Sequence, residues 1–542
     1  MRWGHIDKVN NFYLILALIL PPERTSLFPR DHWNRLYQLN AFDIFILIPY
    51  LAILSILAIY GVHRYYLVYL YLKNKDKVAQ PTARLATKPK VTVQLPIYNE
   101  MYVVERLVEA VCKIQYPNEL LEIQVLDDST DGTVEIATAC VAKYRGLGFN
   151  IHHIHRDNRY GFKAGALEHG LKLASGELIA IFDADFIPAA NFLEDVVDYF
   201  SDAQVGMVQV RWGHINREYS LLTQVESVIL DGHFMIEHGG RHFSGRFFNF
   251  NGTAGIWRRQ AIETSGGWQH DTLTEDTDLS YRAQMAGWKF LYIPHIVCPA
   301  ELPVEMNSFK TQQSRWAKGL VQTAMKLLPR IMRSKLPWKI KIEAFFHLTA
   351  NICYPLMIAL SLLLLPAMIV RFNQGWFQML YIDVPLWLTS TASVSTFYLI
   401  SQRELYPDWR IRLKYFPFLM SLGIGLSVSN SKAVMEALLG IESSFKRTPK
   451  YKIESKTDRW ATKKYLRRTG VMPLFELSLG AYFSLVVLYA FTNQNYSTIP
   501  FLMLFVIGFT YMGFMSILHV TLHRWLRDLQ YDAKRSAPEL PS

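Results

Sequence analysis

The stretch LIAIFDADF, residues 178–186, reads as a short buried strand, Leu178 to Phe182, that stops on an acidic pair, Asp183 and Asp185. An unbroken apolar run with two isoleucines suits a strand covered on both faces. Its carboxylates then sit at the strand's carboxyl end, where open α/β sheets bind ligands. Two acids spaced i, i+2 at that place can share one divalent cation, and Mg²⁺ is typically held by one or two carboxylates plus substrate phosphates.

Working outward, residues 90 to about 300 alternate strand and helix. Strands are expected at 91–95, 121–126, 151–155 and 206–210 besides 178–182. Helices are expected between them, at roughly 100–114, 132–145, 162–174 and 191–200. The alternation predicts βαβ units and a mainly parallel sheet.

The 542-residue chain is too long for one typical domain. It is 51% hydrophobic, and the apolar residues cluster outside the alternating region. The net charge of +11 is spread largely over the flanks of those clusters. That pattern favours a membrane protein with its basic side on the cytoplasmic face over a nucleic-acid binder. Cys112, Cys140, Cys298 and Cys353 are far apart, which points to a reducing compartment and away from a cysteine-based zinc site.

Residues 12–20 are apolar but too short to cross a ~30 Å hydrocarbon core. Residues 41–60 are long enough, and Lys73, Lys75 and Lys77 mark the following side as cytoplasmic. Downstream, 317–342 interleaves basic and apolar residues and reads as a helix pair lying in the membrane interface. Further spans are expected at 344–370, 378–400, 471–491 and 498–520. If the shorter run 415–429 also spanned, the basic 445–468 would lie outside, so it is read as interfacial. The resulting organisation is an N-terminal segment with the first span (1–80), a cytoplasmic α/β domain (81–316), interfacial helices (317–342) and a domain of membrane helices (343–520). That last domain includes an interfacial helix at 411–440 and a loop at 441–455, and a tail follows at 521–542. Five spans result, with the N-terminus outside and the α/β domain on the cytoplasmic side, as expected for the plasma (inner) membrane.

Several clusters carry chemistry. Pro96-Ile97-Tyr98-Asn99-Glu100 follows strand one, and Asp127-Asp128-Ser129-Thr130-Asp131-Gly132 follows strand two. Such acids can accept hydrogen bonds from a nucleobase or ribose, and the second cluster is equally a good helix N-cap. In RDNRYGFKAGA (156–166), Lys163 enters a helix near the sheet's ligand end, where it could counter a diphosphate or form part of a solvated basic turn. Thr274-Glu275-Asp276 opens a helix, where acids also favour the dipole. Asp276 suits a general base for a sugar hydroxyl. In Gln312-Gln313-Ser314-Arg315-Trp316, Arg315 suits a departing diphosphate and Trp316 a sugar face. Asn251-Gly252-Thr253-Ala254-Gly255 lines an acceptor site or packs as a turn. His152-His153-Ile154-His155 puts two rings on one strand face but shows no further ligand at a suitable spacing, so it is assigned a structural role.

Together these residues resemble the membrane-bound family 2 glycosyltransferases, including cellulose synthase and, more closely, the plant cellulose-synthase-like mannan and glucan synthases. The family's ordered motifs D, DxD, TED and QxxRW correspond to Asp127-Asp128, Asp183-x-Asp185, Thr274-Glu275-Asp276 and Gln312-x-x-Arg315-Trp316. Phe445-Lys446-Arg447-Thr448-Pro449-Lys450 resembles the family's gating loop, Phe-x-Val-Thr-Pro-Lys, with Arg447 in place of valine. The resemblance implies a GT-A (Rossmann-like) α/β catalytic domain inserted in an α-helical transmembrane domain. It implies nucleotide binding by Pro96, Tyr98, Glu100, Asp127, Asp128, Lys163, Asp183 and Arg315, and Mg²⁺ or Mn²⁺ on Asp183 and Asp185. Asp276 would be the base, flanked by Thr274 and Glu275. Gln312, Trp316, Asn251 and Gly252 would hold the acceptor, and Phe445, Thr448 and Lys450 would belong to the gating loop. The expected activity is inverting, processive extension of a β-glucan or β-mannan from UDP-glucose, or from GDP-mannose, with export of the chain. A non-processive transfer to a membrane lipid is the alternative. Expected partners are the sugar nucleotide, the growing polysaccharide and membrane lipids, with room for an accessory export or regulatory subunit and no nucleic acid. Aromatic residues such as Phe346, Tyr354 and Trp376 would line a channel or pack a core.

Overall fold

Seven strands build the central sheet: β1 (Val91–Ile97), β2 (Leu121–Asp127), β3 (Ile151–His155), β4 (Leu178–Ile181), β5 (Val205–His214), β6 (Gly255–Arg258) and β7 (Lys289–Ala300). The computed structural model describes residues 40–373, 380–443, 445, 447–465 and 470–535. The segment 12–20, Trp376 and the end of the tail lie outside the described residues. The sheet order is β3-β2-β1-β4-β6-β5-β7. All neighbours run parallel except β6, which is antiparallel to both β4 and β5. The five expected strands are present within a few residues, and β6 and β7 are additional.

Apolar runs made β1, β2 and β4 legible because both faces of these strands are covered. One face joins Val91, Val93, Leu95, Ile123, Val125 and Phe182 with the helices Val104–Cys112 and Thr133–Gly146. The other joins Ile179, Ile181 and Trp257 with Leu167 and Leu171 of Phe162–Leu173. Helix Val104–Cys112 buries Val104, Leu107, Val108 and Val111, one stripe at helical spacing. The connection between β1 and β4 is where the strand order reverses. Such a switch point opens a crevice beyond the strands' carboxyl ends.

The basic stretch after the sheet forms two helices, Met306–Arg333 and Trp338–Thr349, separated by Ser334–Pro337. The first starts before Gln312 and runs unbroken through residue 316, so the QxxRW residues lie inside it. It buries Phe309, Val321, Leu327 and Ile331 and leaves Met325 and Met332 exposed. Among the described residues, five helical stretches are long and apolar enough to cross a membrane: Ala41–Asn74, Trp338–Arg371, Trp409–Leu438, Met472–Thr492 and Tyr496–Leu529. These five are not the same segments as the five expected spans. Trp409–Leu438 contains the run read as interfacial, whereas Leu380–Leu405, expected to span, is not among the five. Its polar run Thr389-Ser390-Thr391 and its Asp383 and Arg403 dilute it below what composition requires.

Trp257 of β6 is fully buried, with its ring edge-on to those of Phe250 and Phe290 at centroid distances of 5.7 and 5.2 Å. Trp257→Ala is expected to cost about 3–5 kcal/mol through the cavity it leaves. The check is a lowered apparent unfolding temperature of the detergent-solubilised protein; an unchanged one would contradict this packing.

Candidate active site

Beyond the carboxyl ends of β1 and β4 lies a cleft of ≈ 1060 Å³, mouth included. Its walls carry Pro96, Tyr98, Glu100, Asp128, Lys163, Asp183, Asp185, Asn251, Gly252, Thr274, Glu275, Asp276, Gln312, Arg315, Trp316, Phe445, Thr448 and Lys450. Every residue singled out for the site from sequence therefore reaches one cavity, except Asp127. That side chain is fully buried and turned to the neighbouring strand, where it contacts His153 (Nε2–Oδ2 2.9 Å) and accepts from the Ser129 backbone N–H (2.8 Å). Burial works against its charge, yet those hydrogen bonds hold the carboxyl below its ordinary range.

The acidic pair at the end of β4 is held from two directions. Lys163, in the first turn of Phe162–Leu173, places Nζ 2.5 Å from Asp183 Oδ1 and 2.9 Å from the Gly252 carbonyl. Lys450 places Nζ 2.7 Å from Asp185 Oδ2. Burial works against both ammonium groups, but the acids around them keep both above the usual lysine value. The Asn251–Gly255 turn fixes the pair from below: the Asp183 N–H donates to Thr253 Oγ1 at 2.9 Å, and the Ala254 N–H donates to the Ile181 carbonyl. Gly252 has φ +80°, and a Cβ there would lie 3.0 Å from Asp276 Oδ2 and 3.3 Å from Lys163 Nζ. Only glycine fits this turn without strain or crowding.

Asp276 lies in the first turn of Glu275–Met285, where Thr277 N–H donates to Oδ1 at 2.6 Å. Burial, and then the charge of Glu275, push its carboxyl up to about 7. A carboxylate poised there is matched to proton transfer near neutrality. The helix Met306–Arg333 brings Gln312, Arg315 and Trp316 to the opposite wall. Gln312 Oε1 on that wall and Asn251 Oδ1 in the Asn251–Gly255 turn are buried without hydrogen-bond partners. Residues the sequence reading passed over also line the cleft, Arg159, Trp212 and Leu273, as does Arg447 of the gating-loop pattern. Arg159 stacks 3.4 Å from the Tyr98 ring centroid. Arg156, three residues earlier, bridges both oxygens of Asp128 at 2.7 and 2.5 Å. The density of arginines in residues 156–159 was the available signal.

Phe445, Arg447, Thr448 and Lys450 line one side of the cleft. The Phe445 ring stacks on Phe162 (5.8 Å) and lies 4.6 Å from the Arg315 guanidinium. Arg447, where the gating-loop pattern has valine, stands 3.2 Å from Glu100 Oε2 and stacks on Tyr465. From the Asn251 wall a polar chain runs inward. Asn251 meets His233 (2.8 Å), His233 meets Glu237 (2.8 Å), Arg241 joins Glu237 (3.4 Å) to Glu343 (2.9 Å), and Glu343 meets His63 of Ala41–Asn74 (3.1 Å). His233–His238 is a π-helical turn, a form often found at functional sites.

Residues 89–319 match the family model described as glycosyltransferase like family 2. The chain carries a family 2 glycosyltransferase-like domain. Those residues span the sheet, the cleft and the QxxRW turn. The chain is 37% identical over 329 residues to a probable glucomannan 4-beta-mannosyltransferase 10 of Arabidopsis thaliana, covering 59% of this chain and 57% of that protein. It is 34% identical over 332 residues to glucomannan 4-beta-mannosyltransferase 1 of Cyamopsis tetragonoloba, covering 60% and 63%. It thus spans less than two thirds of each of these relatives. A solved mannosyltransferase of Pyrobaculum calidifontis, in complex with GDP-Man and Mn²⁺, is 22% identical with a TM-score of 0.46, covering 72% of this chain and all of that one.

Residues 273–274 lie against helix Met306–Arg333 with no side chain between them at Gly319. A Cβ on Gly319 would meet Thr274 Cγ2 at 2.6 Å and the Thr274 N at 2.8 Å. Gly319→Ala is therefore expected to displace residues 274–276 and lower turnover at least tenfold, with nucleotide affinity little changed. Sugar incorporation and nucleotide binding measured on the same preparation check this.

Proposed function

We propose that this chain is an inverting, processive hexosyltransferase that extends a β-linked polysaccharide from a sugar nucleotide. The observation that carries the reading is the meeting of Asp276, the Asp183/Asp185 pair, Lys163 and Arg315 in one cleft. The acceptor's hydroxyl would be held by Gln312 and Asn251, whose unpaired carbonyl oxygens suit sugar hydroxyl donors, with Trp316 against the ring. Asp276 accepts that hydroxyl's proton as its oxygen attacks the anomeric carbon. The bond from that carbon to the nucleotide breaks, and the electron pair leaves with the diphosphate. Attack from the opposite face inverts the centre, so an α-linked donor yields a β-linkage. Lys163 and Arg315 stabilise the diphosphate's charge.

The oxygen-only pair Asp183 and Asp185 suits a hard divalent cation, and both carboxylates already attract a cation, Lys163 and Lys450. Mg²⁺ or Mn²⁺ held there would neutralise the diphosphate. Tyr98, with Arg159 stacked on it, and Asp128 would form the nucleoside wall. Asp127 turns away from that wall toward His153.

The relatives' mannosyltransferase names favour a mannosyl nucleotide, GDP-mannose, over UDP-glucose, which reverses the order expected from sequence. The apolar helices beside the cleft suit passage of the product through the membrane, and the lysines after the first one favour a cytoplasmic cleft at the plasma (inner) membrane.

Asp276→Asn is expected to lower turnover ~10²–10⁴-fold while leaving donor binding within a few-fold. Incorporation of radiolabelled mannose and glucose from their nucleotides measures this, and retained turnover would remove Asp276 as base. Glycanase-sensitive product supports the processive reading, and chloroform-soluble product the lipid-acceptor alternative. The base must be deprotonated to act, and its carboxyl is raised to about 7. kcat/KM is therefore expected to rise with pH through about 7 and to fall below it. A profile flat from pH 5 to 8 would contradict the assignment.

A further inference from the structure

Asp127, the site residue that turns away from the cleft, meets the two histidines that sequence spacing left without a third ligand. In the β2–β3 ladder, Asp127 pairs with His155 and Val125 with His153. Successive side chains alternate faces, so His153, His155 and Asp127 project from the same face of two adjacent strands. Asp127 Oδ2 lies 2.9 Å from His153 Nε2 and 3.7 Å from His155 Nδ1, and one ligand atom from each of the three residues falls within 4.8 Å of the others.

The hydrogen bonds around this cluster orient its ligand atoms toward one another. The Thr138 hydroxyl lies 2.8 Å from the Val134 carbonyl and 3.2 Å from His153 Nδ1. His153 Nε2 lies 2.9 Å from Asp127 Oδ2, and in the Nδ1-protonated tautomer its lone pair is available to a metal. Asp127 Oδ1 is already taken by the Ser129 N–H, which orients Oδ2 toward the rings. Thr138 beside His153 Nδ1 and the Ser129 N–H on Asp127 Oδ1 are outer partners of the kind that metal-binding imidazoles and carboxylates use.

We propose that Asp127, His153 and His155 form a binding site for a zinc-like transition metal, separate from the Asp183/Asp185 pair. Bonds of about 2.0–2.1 Å at tetrahedral or octahedral angles put ligand atoms about 3.0–3.4 Å apart. Only the His155 ring has to move to meet that, and as a half-exposed side chain on the edge strand it is free to rotate. Two imidazoles and one carboxylate select Zn²⁺, Co²⁺ or Ni²⁺ over Mg²⁺. The exposed side leaves the fourth position to water. The metal would tie β3 to β2 beside Asp128 and Arg156, whose ion pair backs the cleft wall.

The test uses the untagged full chain in detergent with Mg²⁺ in excess, titrated with Zn²⁺ alone by calorimetry and by thermal unfolding. The wild type is expected to bind one equivalent and to unfold at higher temperature when Zn²⁺ is present. His155→Ala, at an exposed position, is expected to lose that equivalent and that shift, with affinity down more than about 10–100-fold. Thr138→Val is expected to weaken it, and Asp183→Ala to retain it. Absence of a Zn²⁺ equivalent in the wild type, or its persistence in His155→Ala, would overturn the site. Its loss in Asp183→Ala would assign the metal to the cleft instead. None of these readouts depends on transferase activity, so failure of the proposed function leaves the result intact, and the reverse.

Discussion

Two carboxylates at the end of one short strand cannot stay charged side by side in an enclosed cleft unless cations face them. Much of the domain's arrangement follows from that requirement. Asp183 is met by Lys163 from the helix after β3, and Asp185 by Lys450 from a loop far along the chain. Removing one partner of such a pair strands a buried charge, which is strongly destabilising. The 445–450 segment is thereby drawn onto the cleft, with Phe445 covering Arg315 and Arg447 facing Glu100.

The cleft is also tied to the apolar helices. The polar chain from Asn251 through His233, Glu237, Arg241 and Glu343 ends on His63 of the first of them. Buried polar chains of this kind hold a specific geometry, because breaking a link leaves a further group unpaired. The Asn251 side of the cleft is thus positioned by the apolar helices as well as by the sheet. On the other side Met306–Arg333 carries Gln312, Arg315 and Trp316. Its close approach to Thr274 at Gly319 sets how near they come to Asp276.

The parts of this architecture legible from sequence are those governed by local pattern. Continuous apolar runs marked β1, β2 and β4, and acids immediately after them marked the ligand end. β6 was missed because four residues, one of them glycine, carry no periodicity. β7 was missed because Pro294 and Pro299 interrupt its run; an edge strand tolerates them where a central one would not. The run 415–429 was read as interfacial from the charge of the segment after it; the helical stretch Trp409–Leu438 that contains it is long and apolar enough to cross a membrane.

By itself the sequence determined that an α/β domain with acids at its strand ends is joined to long apolar helices, because strand, helix and hydrophobic runs are local properties. Tertiary structure alone decided which of those acids share a cavity. Asp127 and Asp128 are adjacent in the chain, yet the alternation of a strand sends one to the histidines of β3 and the other to the cleft wall. Lys450 meets Asp185, and Asp127 acquires two imidazole neighbours, only through strand pairing and loop docking. Contacts between distant segments depend on the packed three-dimensional arrangement, which no window of residues encodes.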